Sequence, residues 1–532
     1  MRVPTNRSFP FLVLLLLLLP GCREKEEQKG GAEPVISLEI LEVQPFQASI
    51  QVKTLEAATV AYGVGMDEDE AMLLDRSAAT ASTGRSVIRI EVTGLTPSSV
   101  LMLCARGIGP SGEKGEVKKI SFTTPAAEGG IYPWESARTK VPFLADMTLI
   151  PGPSSHRNPL EWSKDRWKTH VAYTDEDGVE HWLFDSFLLI EGGQTGVYGG
   201  TGYTYVLTES ETPSATKDQW QELLDFWFDG GTFLQQESWW GDGVSTFGRW
   251  YSGRMVSPSP HFDDGQLTAL DECIDEVAAR IGAPPSKRYI VMALPEPIYF
   301  DNYIRAVRDG GSGNTVYWGE ADDRRLDFSR VSDRVRACRW FIDETRLAFV
   351  RKGYRNIELA GFYILPEVLS LSWRAEYKKY DEVLPAVASY LHTFNEGLYW
   401  IPYNMAEGYD VWRNFGIDIA YMQPNYYWDE TGKNPMVDTF REINKYGMGL
   451  ELEFEYSMVE NVNGAASAEK YRARFDEYLS WAKSSGVYGS RSIALYSGTD
   501  AMEQLALSPL EGDREMYHKL GHFIIESPLK SK

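Results

Sequence analysis

Between Pro34 and about Ala126, apolar and polar residues alternate in short runs: Ile36 to Val43, Ala48 to Thr54, Thr59 to Val64, Ser86 to Val92, Val100 to Ala105 and Val117 to Thr123. Successive side chains of an extended chain face opposite ways, so closely spaced runs of this kind predict the strands of a β-sandwich. From about Ile131 the pattern changes. Strand-like runs cover Asp146 to Ile150, Leu183 to Ile190, Tyr289 to Leu294, Glu358 to Leu365, Leu398 to Pro402, Asp418 to Met422, Met448 to Glu455 and Ser492 to Tyr496. Amphipathic helical runs separate most of them: Lys217 to Phe228, Gln266 to Ile281, Val331 to Arg351, Asp381 to Thr393, Met436 to Tyr446 and Glu469 to Ser484. Strands alternating with helices build parallel sheets, and eight in this order predict a (β/α)8 TIM barrel in an α/β chain. An open doubly wound sheet would need a Gly-rich phosphate loop after an early strand, whereas Gly310-Gly311-Ser312-Gly313 falls inside a long connection.

A different pattern precedes both regions. Arg2 and Arg7 flank the start of an apolar run, Phe9 to Leu19, whose length suits a signal peptide rather than a membrane span. It ends in Leu19-Pro20-Gly21-Cys22, which resembles a bacterial lipobox with Pro20 at a position usually held by a small residue. The resemblance implies cleavage before Cys22, lipidation there, and anchoring to a bacterial membrane, the outer membrane being the expected one. The following charged residues lack an apolar period and read as a flexible tether; an acidic stretch there resembles the surface-export signals of Bacteroidetes lipoproteins. The expected organisation is therefore a signal peptide over 1–21, a lipidated Cys and tether over 22–33, a sandwich over 34–126 and a barrel over 127–528. Gly94-Leu95-Thr96-Pro97 through Ser121-Phe122-Thr123-Thr124 resembles the last strands of a fibronectin type III domain, with Leu101 where that family usually has a Tyr. Such a module implies a spacer, a binding role being the alternative.

Composition narrows the chemistry. The net charge is -23 and no basic patch stands out, so a nucleic-acid partner is not expected. Four cysteines, at 22, 104, 273 and 338, are too few and too scattered for a disulfide framework or a Cys-rich metal site, though they leave a Cys273–Cys338 bridge open. His518 and His522 have helical metal-pair spacing, but Lys519 stands where a general-base acid would be needed, so they read as a polar helix face. No metal and no other cofactor is expected.

Catalytic groups of such barrels sit at the C-terminal ends of the strands. The third strand runs into Leu294-Pro295-Glu296, the fourth carries Tyr363 and runs into Pro366-Glu367, and the fifth into Pro402-Tyr403-Asn404. The sixth leads to Gln423-Pro424-Asn425-Tyr426-Tyr427-Trp428 and the eighth to Tyr496-Ser497-Gly498. On the seventh, Met448 to Tyr456, carboxylates alternate with large apolar residues, which puts Glu451, Glu453 and Glu455 on one face. Amides and acids for hydroxyls, with aromatic faces for the apolar sides of a ring, are what a carbohydrate partner requires. Tyr363, Asn404, Gln423, Asn425, Tyr427 and Trp428 are candidate sugar contacts, with Tyr426 to Trp428 either a stacking platform or a loop packed on the rim. Asp185 and Glu296 either bind a substrate hydroxyl or close a salt bridge, and Glu451 reads as a deep residue held by a basic partner.

Acids at the ends of the fourth and seventh strands resemble the superfamily of retaining TIM-barrel glycosidases. Carried over, the resemblance implies Glu367 as acid/base and Glu453 as nucleophile, with Glu455 competing for the latter role and Pro366 replacing the Asn that often precedes the acid/base. Residues from about Ile131 to Glu526 also resemble a family of bacterial lipoprotein barrels, through Trp182-Leu183-Phe184-Asp185-Ser186-Phe187-Leu188 and Gly361-Phe362-Tyr363-Ile364-Leu365-Pro366-Glu367, a likeness that brings no reaction with it. The expected function is a membrane-anchored glycoside hydrolase cleaving a polysaccharide or oligosaccharide with two carboxylates. A surface glycan-binding lipoprotein without turnover is the alternative.

Overall fold

A computed structural model describes residues 33–125 apart from 45–46, 67, 73, 75, 81, 94 and 96–99; then 141–153, 161–191, 194–195, 203–204, 215–239, 254–297, 318–369 apart from 322–323, and 378–530 apart from 433–434 and 499. The expected signal peptide, Cys22 and the tether as far as residue 32 lie outside the described residues.

Seven strands form the N-terminal sheets: β1 (Val35–Val43), β2 (Gln47–Leu55), β3 (Thr59–Gly65), β4 (Arg76–Ala79), β5 (Ser86–Thr93), β6 (Val100–Ile108) and β7 (Lys118–Thr123). They pair as β1-β2-β5 and β4-β3-β6-β7. Alternation decides what each strand buries: Ala48, Ile50 and Val52 of β2 enter a shared core with Val60, Leu103 and Phe122, while Lys53 faces solvent and pairs with Glu39 at 3.1 Å. Leu101 is buried in the same core. The short strand β4 was not expected, because Arg76-Ser77-Ala78-Ala79 has no apolar alternation to mark it.

The larger region contains a closed, TIM-barrel-like cylinder of eight strands: β8 (Asp146–Pro151), β9 (Ser186–Ile190), β10 (Arg288–Ala293), β11 (Ile357–Ile364), β12 (Gly397–Trp400), β13 (Ile419–Met422), β14 (Gly449–Glu453) and β15 (Ile493–Tyr496). Each pairs in parallel with its neighbour in the chain, and β15 closes onto β8. Connecting helices include α1 (Lys164–Val171), α2 (Lys217–Phe228), α3 (Gln266–Ile281), α4 (Val331–Lys352), α5 (Tyr380–His392), α6 (Met436–Tyr446), α7 (Ala465–Ser484) and α8 (Glu511–Ile525). Between β12 and β13 only a single 3-10 turn, Trp412–Phe415, takes the place of a helix. The outward residues of the strands meet these helices: Phe362 packs edge-on against Phe341 of α4, and Phe454 against Phe475 of α7.

One irregularity in β11 matters for the site. Ile290 lies opposite Leu359 and Val291 opposite Gly361, so Ala360 is an extra residue with no counterpart on β10. Gly361 has φ 154°, and a Cβ on it would lie 2.0 Å from the carbonyl oxygen of Gly397, its partner on β12. Only glycine can hold this approach of two backbones.

The N-terminal end of the barrel is closed by charge. Lys530 Nζ lies 2.8 Å from Asp146 Oδ2 and 3.1 Å from Asp185 Oδ1, Arg288 reaches Asp185 at 3.3 Å, and the Asp185 N–H donates to Asp146 Oδ1 at 2.7 Å. Burial pushes Asp146 up to about 6 against the pull of Lys530, with Asp185 adding to the rise. Asp185 therefore sits below the start of β9, at the opposite end from the strand-end rim. The second strand begins at Ser186 rather than Leu183, which corrects the expectation of a substrate contact and leaves the salt bridge.

Cys273 and Cys338 are buried free thiols, so the bridge between them does not form. His518 Nδ1 lies 2.9 Å from the Tyr173 hydroxyl and His522 Nε2 lies 2.9 Å from Glu176, which accounts for the pair as a helix-face anchor. Among the described residues no group of three or more His, Cys, Asp or Glu is placed to hold a metal ion.

Candidate active site

The alternation in β14 sends Leu450 and Leu452 outward and Glu451 and Glu453 into the barrel, where both acids are buried. Such burial is tolerable only with partners or with a proton retained. Glu453 has partners on one oxygen alone. Its Oε2 accepts the Tyr478 hydroxyl at 2.6 Å and the Asn425 N–H at 2.7 Å, while its Oε1 is buried with no partner. Tyr478 stands on α7 and also accepts the N–H groups of Tyr426 and Tyr427, at 2.9 and 3.0 Å. Asn425, at φ 54°, takes the left-handed turn that asparagine tolerates. Burial pushes Glu453 up to about 8, the two donors hold it back, and Glu367 adds to the rise.

Glu451 lies two residues deeper. Burial first, then Glu453 and Glu367, pushes it well above the usual carboxylate range, and the neighbouring Gln423 amide pulls it back. Its Oε2 and the Gln423 Oε1 are further buried acceptors with no partner. The expected basic partner of Glu451 is thus corrected to a neutral amide. None of Glu367, Glu451, Glu453 and Glu455 forms an ion pair with a lysine or arginine among the described residues, and no such residue acts on the three whose proton affinity is perturbed.

Glu367 follows β11 directly and is the most open of the acids; lost hydration pushes it above its ordinary range. Its approach is fixed from beneath. The buried Trp400 donates its indole N–H to the Pro366 carbonyl at 2.7 Å, and Tyr363, buried on the inward face of β11, feels both Glu367 and Glu451. Glu455 lies past the end of β14, half-buried, with Oε1 accepting the Ser457 hydroxyl at 2.9 Å.

One further group at this mouth was named at the end of the eighth strand but not among the candidate contacts. Burial pushes the phenol of Tyr496, the last residue of β15, up to about 12, with Glu455, Glu451, Glu453 and Glu367 all adding to the rise. Its ring lies 6.1 Å from that of Trp428. Its position as the final residue of the eighth strand was the available sign. Tyr478 carried none, because it arrives from a helix 25 residues beyond Glu453.

The remaining candidates divide. Gln423 is at the mouth through Glu451, Asn425 through its N–H to Glu453, and Trp428 through Tyr496. Tyr427 is fully buried, its ring 5.2 Å from Trp428 and 4.9 Å from Tyr471 and its hydroxyl donating to the Glu455 carbonyl at 3.2 Å, so it is loop packing rather than a platform. Asn404 Oδ1 accepts the hydroxyl of Thr439 on α6 at 3.1 Å, which ties its loop to a helix instead of presenting its carbonyl to the mouth. Glu296 accepts the Tyr380 hydroxyl at the start of α5, beside a small apolar pocket that includes Cys338, Ile364 and Pro366. In chemical terms the mouth offers an open carboxyl group, a second one with one oxygen fixed and the other bare, and a third beneath them. Unequal environments for neighbouring carboxyls are how one comes to hold a proton while another is ionised.

The family model described as Domain of unknown function (DUF4855) matches residues 146–236 and 260–522. No curated protein matches the chain. Among solved structures, a Bifidobacterium dentium beta-glucuronidase complexed with coumarin-3-O-glucuronide aligns at 10% identity and TM-score 0.24, covering 87% of this chain and 60% of its own. A Lactobacillus rhamnosus beta-glucuronidase aligns at 8% identity and TM-score 0.25, with the same coverages of 87% and 60%. The sixth fibronectin type III domain of human fibronectin type III domain containing protein 3 aligns at 13% identity and TM-score 0.14, covering 18% of this chain and 87% of its own.

Proposed function

The chain belongs to the family described as Domain of unknown function (DUF4855), and from that premise we propose that it is a glycoside hydrolase cleaving a polysaccharide or oligosaccharide with two carboxyl groups. One observation carries the reading. Glu367, past the end of the fourth barrel strand, adds to the rise in the proton affinity of Glu453, at the end of the seventh, and Glu453 keeps a buried Oε1 without a partner while Tyr478 and Asn425 hold Oε2. In this reading substrate binding reverses the order of proton affinity in the free site: Glu453, held up to about 8 by burial, gives up its proton and attacks the anomeric carbon, while Glu367 protonates the leaving oxygen and later takes a proton from water. Glu455 is the second choice of nucleophile. Gln423, Asn425, Tyr363 and Trp428 would line the sugar. The N-terminal sheets serve as a fibronectin type III-like spacer, and lipidated Cys22 would tether both regions to a bacterial membrane, the outer membrane by preference.

Substituting Glu367→Gln and Glu453→Gln tests the assignment. Each should abolish sugar release from a glycan panel with the fold intact by circular dichroism; full activity in both would remove the catalytic role. A second reading, glycan binding without turnover, draws support from the complete burial of Glu453. It predicts saturable binding with no product.

A further inference from the structure

We propose that the sugar received at this mouth carries a free ammonium group, as in a 2-amino-2-deoxy sugar, and not a carboxylate. The inference rests on the carbohydrate-site reading above and names its substrate class. Its basis is a set of buried atoms without a partner among the described residues, Glu453 Oε1, Glu451 Oε2 and Gln423 Oε1, all three of them acceptors once the two acids are ionised. They belong to neighbouring residues: the Gln423 amide acts on Glu451, and Glu451 and Glu453 share one face of β14. A ligand that satisfies them must donate. A hydroxyl brings one hydrogen, whereas an ammonium brings three and accepts nothing.

Charge points the same way. Neighbouring buried carboxylates cannot ionise together unless a cation joins them. Among the described residues no lysine or arginine pairs with these acids, and the charged groups that act on Tyr496 are four carboxylates, three from the adjoining β14 and its end and one, Glu367, from the fourth strand's end. A uronic acid would bring a further negative charge against Glu367, Glu451 and Glu453. An amino sugar would bring a positive one and let the pair below it release a proton on binding.

The test is calorimetric titration of the protein at pH 7 with oligosaccharides of glucosamine and of galactosamine, each as the free amine and N-acetylated, and with an oligogalacturonate. At least one free amine should bind ten or more times more tightly than its acetylated counterpart, with proton release detected as a buffer-dependent heat, and the oligogalacturonate should not bind. Glu451→Gln should weaken the amine at least tenfold and the acetylated sugar much less. Equal binding of amine and acetylated forms, tighter binding of the uronate, or no binding of any amine overturns the proposal, and none of these readouts depends on the variant folding. Product analysis separates the two readings. Preferential amine binding without cleavage would remove the hydrolase and keep this inference, while cleavage of a neutral glycan with no preference for amines would do the reverse.

Discussion

Tyr478 donates its hydroxyl to Glu453 at 2.6 Å from a helix, while the same oxygen accepts two backbone N–H groups of the loop after the sixth strand. One phenol thus joins a helix, a rim loop and a candidate nucleophile. Tyr478→Phe should remove a charge-assisted hydrogen bond and lower kcat/KM about 10- to 100-fold. Glu453 is active when ionised, so the rising limb of the pH–rate profile, expected near 8 in the native protein, should move upward in the variant. A rate loss with an unmoved limb would mean that Tyr478 only holds the loop.

Glu453→Gln should change stability as well as activity. Burial raises the folded-state value of Glu453 to about 8 from an ordinary 4.5. Below the unfolded value both states hold the proton and there is no penalty. As pH rises toward 8 the unfolded chain ionises while the folded site resists, so native stability falls through that window. The variant should match the native protein at pH 4 and exceed it by on the order of 1–3 kcal/mol at pH 8. Chemical denaturation at the two pH values checks this.

Lys530→Met should destabilise the barrel floor. It removes the cation between Asp146 and Asp185, leaving two partly compensated acids at a cost on the order of 2–3 kcal/mol. The folded-state value of Asp146 is already raised to about 6, and losing Lys530 raises it further. The penalty should therefore be largest at pH 8, shrink as pH falls toward 6 and the variant's Asp146 takes up its proton, and level off below 6, where the native Asp146 is protonated as well. Melting curves at pH 5 and pH 8 separate this from a pH-independent packing loss.

The two neighbouring rings of the sixth-strand loop should behave differently. Tyr427→Ala empties a fully buried site and should cost about 3–5 kcal/mol of stability. Trp428→Ala, at a half-buried ring beside Tyr496, should lower affinity for a glycan about tenfold with little change in Tm. Denaturation and binding measured on the same pair of variants distinguish the roles.

The barrel was legible because most of its strands are runs of apolar residues bounded by polar ones, and because alternation within β14 says which way Glu451 and Glu453 point. Beyond the strand ends that rule lapses. Tyr427 and Asn404 follow their strands closely, yet the loop conformation turns one into packing and commits the other to Thr439. Asp185 was misplaced for a related reason: the apolar residues Trp182, Leu183 and Phe184 look like the start of the strand that begins at Ser186. The basic partner expected for Glu451 failed on energetics, since a retained proton and one amide can stand in for an ion pair. Tyr478 could not be read at all, as nothing local to Glu453 announces a donor from a distant helix.

The unmatched Ala360 has a bearing on how this site could change. Because side chains alternate along a strand, that additional residue decides that Tyr363 looks inward and Phe362 toward α4. Deleting it would swap the two, putting a benzyl group in the cavity and a phenol among the helices, without altering a single remaining letter of the strand. On β11, chain length rather than residue identity selects the lining, so family members differing by one residue here would present a different interior even where their sequences otherwise agree.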